Sequence, residues 1–242
     1  MTSLINRPDV TTVLWDLDGT LVRMHRAPFR VLMPLLACAA FADVVPPWRV
    51  PSAVRTIVTR IRTNEGAGSN HELLRELVAA HTGCDSAVVD SRLNWLSTTG
   101  FPLLRWCFRP RPGAPQLVAD LAERGLSQVV ATNPLWPRQT VVDRLSWGGV
   151  DIGHFDYITA GENMTRSKPR TGYYRELLSK LGARPQQCVM IGDDARNDAP
   201  ASELGIAVYL VRTGAGPVVD HVCGPGRLTT GPWSALPDWL GV

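Results

Sequence analysis

The chain has 242 residues, of which 45% are hydrophobic and 19% charged, a composition typical of a folded globular protein with a sizeable core. Its formal net charge is only +3 and its basic residues form no cluster, which argues against a nucleic-acid-binding surface. The five cysteines include no C-x-x-C pair, so the sequence predicts free thiols and neither a disulfide framework nor a zinc site.

Neither a secretory signal nor a membrane span is predicted. Residues 1–12 lack the cationic and then apolar pattern of a signal peptide. The longest apolar run, residues 31–42, contains Pro34 and is too short to cross a bilayer. We therefore expect a cytoplasmic protein with no membrane partner and no nucleic-acid partner, whose oligomeric state the sequence does not indicate.

The first predicted element is a strand that begins near Thr11 and ends before Asp16. Its unbroken apolar run is typical of a strand buried on both faces, as at the centre of a parallel sheet. Apolar residues then recur at helical spacing in residues 31–36, where Pro34 marks a kink or a helix start, and again in residues 54–61.

Two further helices are predicted before residue 100. Asn70 is a candidate cap for a third helix that ends near Gly83, and a fourth helix is predicted over residues 86–98. No strand is predicted in residues 22–106, which we interpret as an all-helical domain.

From residue 109 onward, helices and strands alternate. The predicted helices span 112–124, 139–147, 171–181 and 198–204, and the predicted strands span 127–132, 155–160, 188–191 and 207–211. This alternation predicts an α/β fold with a doubly wound, Rossmann-like parallel sheet, into which the helical domain is inserted. Residues 1–21 and 107–242 would form the core, and Trp233 and Trp239 of the Gly- and Pro-rich tail are expected to pack on it.

Polar residues stand where the predicted strands end, at the edge where open α/β sheets bind ligands. In chain order they are Asp16 and Asp18, Thr132 and Asn133, and Asp193 and Asp194. Two carboxylates as close as Asp16 and Asp18 repel each other, and a hard divalent cation between them is the simplest remedy. The alternative is an Asp-Gly turn that has no function.

These residue types together suit phosphoryl chemistry. Asp16 at a strand end can act as a nucleophile, and Asp18 can protonate a leaving group and later deprotonate a water. The Thr132 hydroxyl and the Lys168 ammonium can hold phosphoryl oxygens, while Asp193 would complete an oxygen-rich site of the kind that Mg²⁺ prefers. For Lys168 the alternative is a solvated loop lysine.

Four segments, in order, resemble the motifs of the haloacid dehalogenase (HAD) superfamily. They are Asp16-Leu17-Asp18-Gly19-Thr20, Thr132 with Asn133, Lys168-Pro169, and Gly192-Asp193-Asp194 with Asn197-Asp198. Each motif alone is weak to moderate, and their order and structural context carry the resemblance. It covers residues 8–21 and 107–215 and implies a HAD-like core.

The resemblance implies roles for the residues that would meet the substrate. Asp16 would be the nucleophile and Asp18 the acid and base. Thr132, Asn133 and Lys168 would bind the phosphoryl group, and Lys168 would also steady Asp16.

The resemblance further implies a Mg²⁺ site. Its protein ligands would be Asp16, the backbone carbonyl of Asp18, and Asp193, which follows the glycine that ends its strand. Asp194 or Asp198 would orient these ligands without itself binding the metal. A helix N-cap is the alternative role for Asp198.

The helical domain, residues 22–106, is similar to the C1-type cap of the superfamily. One helix and one short strand fill the stretch between Thr132 and Lys168, so no second insertion fits there. Such a cap closes over the site and excludes water.

Several side chains are candidates for substrate contact. The loop at residues 64–70 is expected to reach the site from the cap. Arg23 and His25 either contact the substrate or face solvent at the domain junction. Trp136 either lines the pocket or packs in the core.

The sequence therefore predicts a Mg²⁺-dependent phosphatase that acts on a small phosphorylated metabolite through an aspartyl-phosphate intermediate. Dehalogenase chemistry is disfavoured, because dehalogenases of the superfamily replace the residue at the Asp18 position. Phosphonatase chemistry is disfavoured because residues 22–106 contain no lysine to form a Schiff base. A phosphomutase and a non-catalytic binding or regulatory protein on the same fold remain the alternatives.

Overall fold

The structure is a computed structural model that describes residues 9–214, 216–223 and 225–242. Residues 1–8 belong to the predicted core and to the stretch examined for a signal pattern, and they lie outside the described residues. The strands are β1 (Thr12–Trp15), β2 (Val22–Met24), β3 (Phe108–Pro110), β4 (Ser127–Val130), β5 (Tyr157–Ile158), β6 (Cys188–Gly192), β7 (Ala207–Arg212), β8 (Val219–Cys223) and β9 (Gly226–Pro232). The helices are α1 (Arg26–Phe41), α2 (Val50–Arg62), α3 (Asn70–Thr82), α4 (Ser86–Trp95), α5 (Ala114–Glu123), α6 (Arg138–Trp147), α7 (Thr171–Leu181), α8 (Ala195–Asp198) and α9 (Leu236–Leu240).

A seven-stranded sheet has the order β5-β4-β1-β6-β7-β9-β8. All its neighbouring strands are parallel except β8 and β9, which are antiparallel. Trp15 at the end of β1 pairs with Val130 on β4 and with Ile191 on β6. The carboxyl ends of these three strands therefore meet at one edge of the sheet, as predicted.

The central strand β1 is buried on both faces, which explains its unbroken apolar sequence. Val13 and Trp15 belong to an apolar cluster on one face of the sheet, which α5, α6 and α9 complete. Leu14 points to the other face, where Tyr173 and Leu177 of α7 pack against it. Because side chains alternate along a strand, one four-residue strand supplies two apolar cores. The predicted doubly wound α/β fold is confirmed.

Helices α1 to α4 follow one another between β2 and β3, and we call residues 26–95 the helical segment. They share a third apolar cluster, centred on Phe41, Ile57, Ile61, Val78 and Val89. Pro34 lies inside α1 and does not start it.

The cap of α3 differs from the prediction by one residue. Ser69, not Asn70, is the N-cap, and it forms a capping box with Glu72. The predicted stop at Gly83 is confirmed, because this glycine has the left-handed φ of 71° that ends many helices.

The prediction that residues 22–106 contain no strand is wrong, because β2 lies at the start of this range. The short strands β2 and β3 pair antiparallel, with Arg23 opposite Arg109, at the two ends of the helical segment. Three residues are too few to show the alternation that marks a strand in a sequence.

The prediction that the sheet ends at residue 211 is also wrong, because β9 adds to β7 and β8 adds to β9. The signal was hidden by glycines that the packing requires. A Cβ at Gly226 would lie 2.5 Å from the Ser202 carbonyl oxygen, and one at Gly231 would lie 2.2 Å from the Tyr209 hydroxyl. Glycine in a strand often marks such close approach, but in a sequence it indicates a loop.

The short helix predicted over residues 198–204 begins earlier. Helix α8 ends at Asp198, and residues 199–204 form a 3₁₀ helix.

None of the helices in residues 9–214, 216–223 and 225–242 combines the length and the hydropathy that a bilayer-spanning segment requires. Cys38, Cys84, Cys107 and Cys188 are free thiols, as predicted, while the side chain of Cys223 lies outside the described residues.

The two tail tryptophans pack on the core, as predicted. The ring of Trp233 lies 6.4 Å from that of Trp15, and Trp239 is 4% exposed in the cluster behind β1. The Trp239 indole donates a hydrogen bond of 3.2 Å to the Thr229 hydroxyl on β9. The tail therefore contributes to the core.

We expect Trp239→Ala to lower the free energy of unfolding by about 3–5 kcal/mol, because it removes a buried aromatic ring and leaves a cavity. The matched control is Trp48→Ala, since Trp48 is 78% exposed; its effect should stay within about 0.5 kcal/mol. Urea unfolding followed by circular dichroism measures both. Equal effects of the two substitutions would show that the tail does not belong to the core.

Candidate active site

Backbone hydrogen bonds fix the positions of the residues that follow β1 and β4. The Asp16 amide donates to the Ile191 carbonyl at 2.8 Å, and the Ala131 amide donates to the Trp15 carbonyl at 2.7 Å. Asp16 is therefore held between the ends of β4 and β6, at the sheet edge where the sequence predicts a site.

Lys168 lies fully buried between two carboxylates. Its ammonium donates to Asp16 Oδ1 at 3.0 Å and to Asp198 Oδ1 at 2.6 Å. Burial disfavours the charged ammonium, but the two neighbouring carboxylates outweigh that effect and raise the pKa of Lys168 well above its usual value. The alternative of a solvated loop lysine is wrong.

Asp198 is buried beneath the site. It precedes the 3₁₀ helix at residues 199–204, yet among the described residues its side chain makes no capping hydrogen bond. Instead it accepts bonds from Lys168 and from the Asp194 amide, the latter at 3.1 Å. Burial raises its pKa to about 6, against the opposing charge of Lys168.

Asp193 follows β6 and lies against the turn after β1. Gly19 has φ +105°, and a Cβ there would lie 2.2 Å from Asp193 Oδ2, so only glycine fits. Burial, together with the Asp16 carboxylate, raises the pKa of Asp193 to about 7. Its Oδ1 is buried and has no hydrogen-bond partner within the described chain.

Three carboxylates converge at this edge. Oxygen atoms of Asp16, Asp193 and Asp198, one from each residue, lie within 4.8 Å of one another. Such a group of oxygen ligands suits a hard divalent cation.

The carboxylate of Asp194 does not belong to this group and caps α8. It accepts bonds from the Arg196 amide at 2.9 Å and from the Asn197 side chain at 2.8 Å. Of the two adjacent acids, Asp193 is therefore the one that keeps a carboxylate oxygen, Oδ1, without a partner among the described residues.

Asp18 points toward α6, where Arg144 forms an ion pair with its Oδ2. Burial raises the pKa of Asp18 and outweighs this arginine. Asp18 Oδ1 is buried and unpaired among the described residues, so one oxygen remains free for a substrate.

Arg144 is the main site residue that the sequence interpretation missed. It is almost fully buried, its Nε donates to the Thr140 carbonyl at 2.9 Å, and its guanidinium lies 5.6 Å from the Phe101 ring centre. A signal was present, because Arg144 falls between Val141 and Leu145 on the apolar side of its helix. An arginine there needs a buried acid as its partner.

Arg26, at the start of α1, contacts two groups of the predicted metal site. Its Nη2 donates to Asp193 Oδ2 at 2.8 Å and lies 3.5 Å from the Asp18 carbonyl oxygen. The neighbouring candidates Arg23 and His25 are exposed.

Thr132 and Asn133 lie beyond the end of β4. The Thr132 carbonyl accepts bonds from the Thr159 and Tyr173 hydroxyls, each at 2.9 Å. The Asn133 amide donates to the Lys168 carbonyl at 3.4 Å, and Asn133 Oδ1 is buried without a partner in the described structure. These bonds bring the second and third motifs together.

The loop at residues 64–70 reaches the core next to Lys168, as expected. The Asn70 amide donates to the Ser167 hydroxyl at 3.3 Å and to the Pro134 carbonyl at 3.2 Å. Arg166 donates to the Gly66 carbonyl at 2.8 Å. The helical segment is thus bonded to the residues on either side of the site.

The sequence profile of the haloacid dehalogenase-like hydrolases matches residues 10–204. The chain belongs to this family. The match takes in every one of the converging acids and Lys168, and the protein is accordingly a hydrolase of the HAD superfamily.

Named relatives and solved structures agree with this assignment. The chain is 33% identical to a plasmid-encoded phosphoglycolate phosphatase of Cupriavidus necator, over 86% of this chain and 83% of that protein. It is 29% identical to the protein CbbY of Cereibacter sphaeroides, over 81% of this chain and 82% of that protein. An HAD phosphatase from Thermococcus onnurineus, 14% identical, has the same fold, with a TM-score of 0.60 over 96% of this chain and 98% of that chain.

We expect Lys168→Met to lower the free energy of unfolding by about 3–5 kcal/mol, because it leaves the buried carboxylates of Asp16 and Asp198 without a cation. Adding Asp198→Asn should recover part of the loss. Urea unfolding at pH 7.5 measures each variant.

Lys180→Met is the matched control, since the half-exposed Lys180 pairs with Glu176 at 3.6 Å on the surface of α7. Its effect should be below about 1 kcal/mol. The account of Lys168 would be contradicted if both lysines could be replaced at equal cost.

Proposed function

We propose that the protein is a Mg²⁺-dependent phosphatase that hydrolyses a small phosphorylated metabolite through an aspartyl-phosphate intermediate on Asp16. The observation that carries this proposal is the buried ammonium of Lys168, 3.0 Å from Asp16 Oδ1. It orients the Asp16 carboxylate next to an acid, Asp18, that has a free oxygen. The similarity to a phosphoglycolate phosphatase supports the same class of reaction.

In the first step, an oxygen of the Asp16 carboxylate attacks the phosphorus atom of the substrate. A new bond joins this oxygen to phosphorus while the bond from phosphorus to the ester oxygen breaks. Asp18, in its acid form, gives its proton to the departing alkoxide. The raised pKa of Asp18 favours that protonated form. The products of this step are the alcohol and phosphorylated Asp16.

In the second step, Asp18 takes a proton from a water molecule whose oxygen attacks the same phosphorus atom. The bond between phosphorus and Asp16 breaks, which releases inorganic phosphate and restores the carboxylate. Lys168, the Thr132 hydroxyl and the Asn133 amide stabilise the charge on the phosphoryl oxygens in both steps.

The residues at the sheet edge fit a magnesium ion. Asp16, Asp193 and the backbone carbonyl of Asp18 would hold it, and Asp198 would keep Asp16 in place through Lys168. Asp193 Oδ1 is buried and has no hydrogen-bond partner among the described residues. A bound cation would supply the missing partner. When bound, the ion would act as a Lewis acid on the phosphoryl group.

The helical segment has the place of a C1-type cap in this proposal. Residues 22–106 would form the cap, and residues 1–21 and 107–242 the catalytic core. The cap would exclude water from the aspartyl phosphate. The free thiols are in keeping with a reducing, cytoplasmic environment.

We expect Asp16→Asn to abolish the Mg²⁺-dependent hydrolysis of para-nitrophenyl phosphate, because an amide cannot attack phosphorus. Asp18→Asn should lower kcat by about 10²–10⁴-fold yet retain Mg²⁺ binding, since its carbonyl is unchanged. Release of nitrophenolate and titration calorimetry measure the two properties.

Asp238→Asn, on the exposed surface of α9, is the matched control and should leave kcat unchanged. A rate close to that of the wild type in Asp18→Asn would show that Asp18 is not the acid and base. Turnover of no phosphate ester by the wild type would favour the non-catalytic alternative, and transfer of phosphate to a second sugar instead of water would favour a phosphomutase.

We expect Arg26→Gln to tighten Mg²⁺ binding by about 2–5-fold. Arg26 places a positive charge beside Asp193 and near the Asp18 carbonyl, so it competes with a cation for these oxygens. Its loss should cost the fold little, because so exposed an ion pair contributes little to the free energy of unfolding. Titration calorimetry without substrate measures the affinity, with Arg30→Gln on the exposed face of the same helix as the control. Weaker binding in Arg26→Gln would contradict this interpretation.

A further inference from the structure

A cavity of about 160 Å³ lies between the four helices of the helical segment and residues 96–101 and 135–140. All four of its helices contribute to the wall, which includes Met33 of α1, Ile57 of α2, Val78 of α3 and Leu93 of α4. This volume is close to that of engineered apolar cavities that bind benzene, at ~150 Å³.

The cavity wall is apolar in effect, even where it includes polar residues. The hydroxyls of Thr82, Ser97 and Thr140 donate to backbone carbonyls of their own helices or turns, at 2.9, 3.0 and 2.9 Å. They therefore offer little to a polar ligand.

His71 differs from these three residues, because its Nδ1 is buried and has no hydrogen-bond partner among the described residues. An apolar pocket with one such polar atom is typical of a ligand site.

Two residues of the cavity wall contact residues of the candidate active site. Leu135 lines it and donates its amide to the Asn133 carbonyl at 2.8 Å. Phe101 also lines it, and its ring lies under the guanidinium of Arg144, the partner of Asp18.

His71 also contacts the core, since its amide donates to the Gly161 carbonyl at 2.8 Å. The preceding Asn70 contacts Ser167, the neighbour of Lys168. The cavity is therefore bounded by residues that touch the phosphate-binding motifs.

We propose that this cavity binds the organic part of the substrate, so that the substrate is a phosphate monoester of an apolar alcohol of about six to eight carbons. The inference rests on the phosphatase function proposed above and names its substrate class. Trp136 then both lines the pocket and packs in the core. It is part of the cavity wall, and its ring centre lies 6.3 Å from that of Phe29 and 5.7 Å from that of Phe101.

The test compares straight-chain alkyl phosphates from ethyl to decyl, with glycerol phosphate as a polar ester of similar size to the shorter members. We expect kcat/KM of the wild type to rise about fourfold per methylene as each is buried, and to stop rising near six to eight carbons. Glycerol phosphate should be a poorer substrate than butyl phosphate by at least tenfold.

Two matched variants locate the effect. Val78→Phe adds a ring to the cavity wall, and Val31→Phe adds the same ring at a position on α1 that is 62% exposed and outside the wall. Val78→Phe should lower kcat/KM for hexyl phosphate at least tenfold more than it lowers kcat/KM for ethyl phosphate, while Val31→Phe should change neither. Circular dichroism confirms that each variant is folded.

Binding of 1-hexanol, measured by titration calorimetry, gives a readout that does not need turnover. Wild type and Val31→Phe should bind it saturably and Val78→Phe should not. If the esters turn over but kcat/KM does not depend on chain length, the inference is overturned and the phosphatase function stands. If no ester turns over, the phosphatase function fails and the inference fails with it, whether or not hexanol binds.

Discussion

The site depends on one buried ammonium group. Without Lys168, the carboxylates of Asp16 and Asp198 would face each other in the protein interior, where unpaired charge is costly. With it, three segments far apart in the chain are joined: the end of β1, the loop before α7, and α8 behind the end of β6. The same contact that allows this sheet edge to fold also orients the Asp16 carboxylate, the nucleophile of the proposed reaction.

Much of this could be predicted from the sequence, because the relevant signals are local. The apolar run before Asp16 and the strand before Asp193 each end in an acid, and parallel strands bring their carboxyl ends to one edge. The register of β1 with β4 and β6 meets that expectation. The family match over residues 10–204 then agrees with the order of the motifs. Residue types at strand ends were therefore enough to indicate which side chains meet at one edge of the sheet.

The rest depends on contacts between distant parts of the chain. Arg144 pairs with Asp18 across 126 residues, and Asn70 reaches Ser167 across 97, so neither partner can be inferred from spacing. The strands β8 and β9 are not predicted, because glycines such as Gly226 and Gly231 in a sequence usually indicate a loop. Here neighbouring elements pack so closely that no side chain fits at these two positions. The cavity is less predictable still. Its wall comes from four helices and from residues of the core, and the sequence of a single element does not indicate how well that element packs against the others.

The central claim is that Asp16 carries the phosphoryl group during turnover. Rapid acid quenching of the enzyme with Mg²⁺ and a phosphate monoester, followed by peptide mass spectrometry, tests it most directly. The account predicts a phosphoryl group on the peptide that contains Asp16, attached to that side chain, and none in Asp16→Asn. A phosphoryl group on another residue, or turnover that continues in Asp16→Asn, would contradict it.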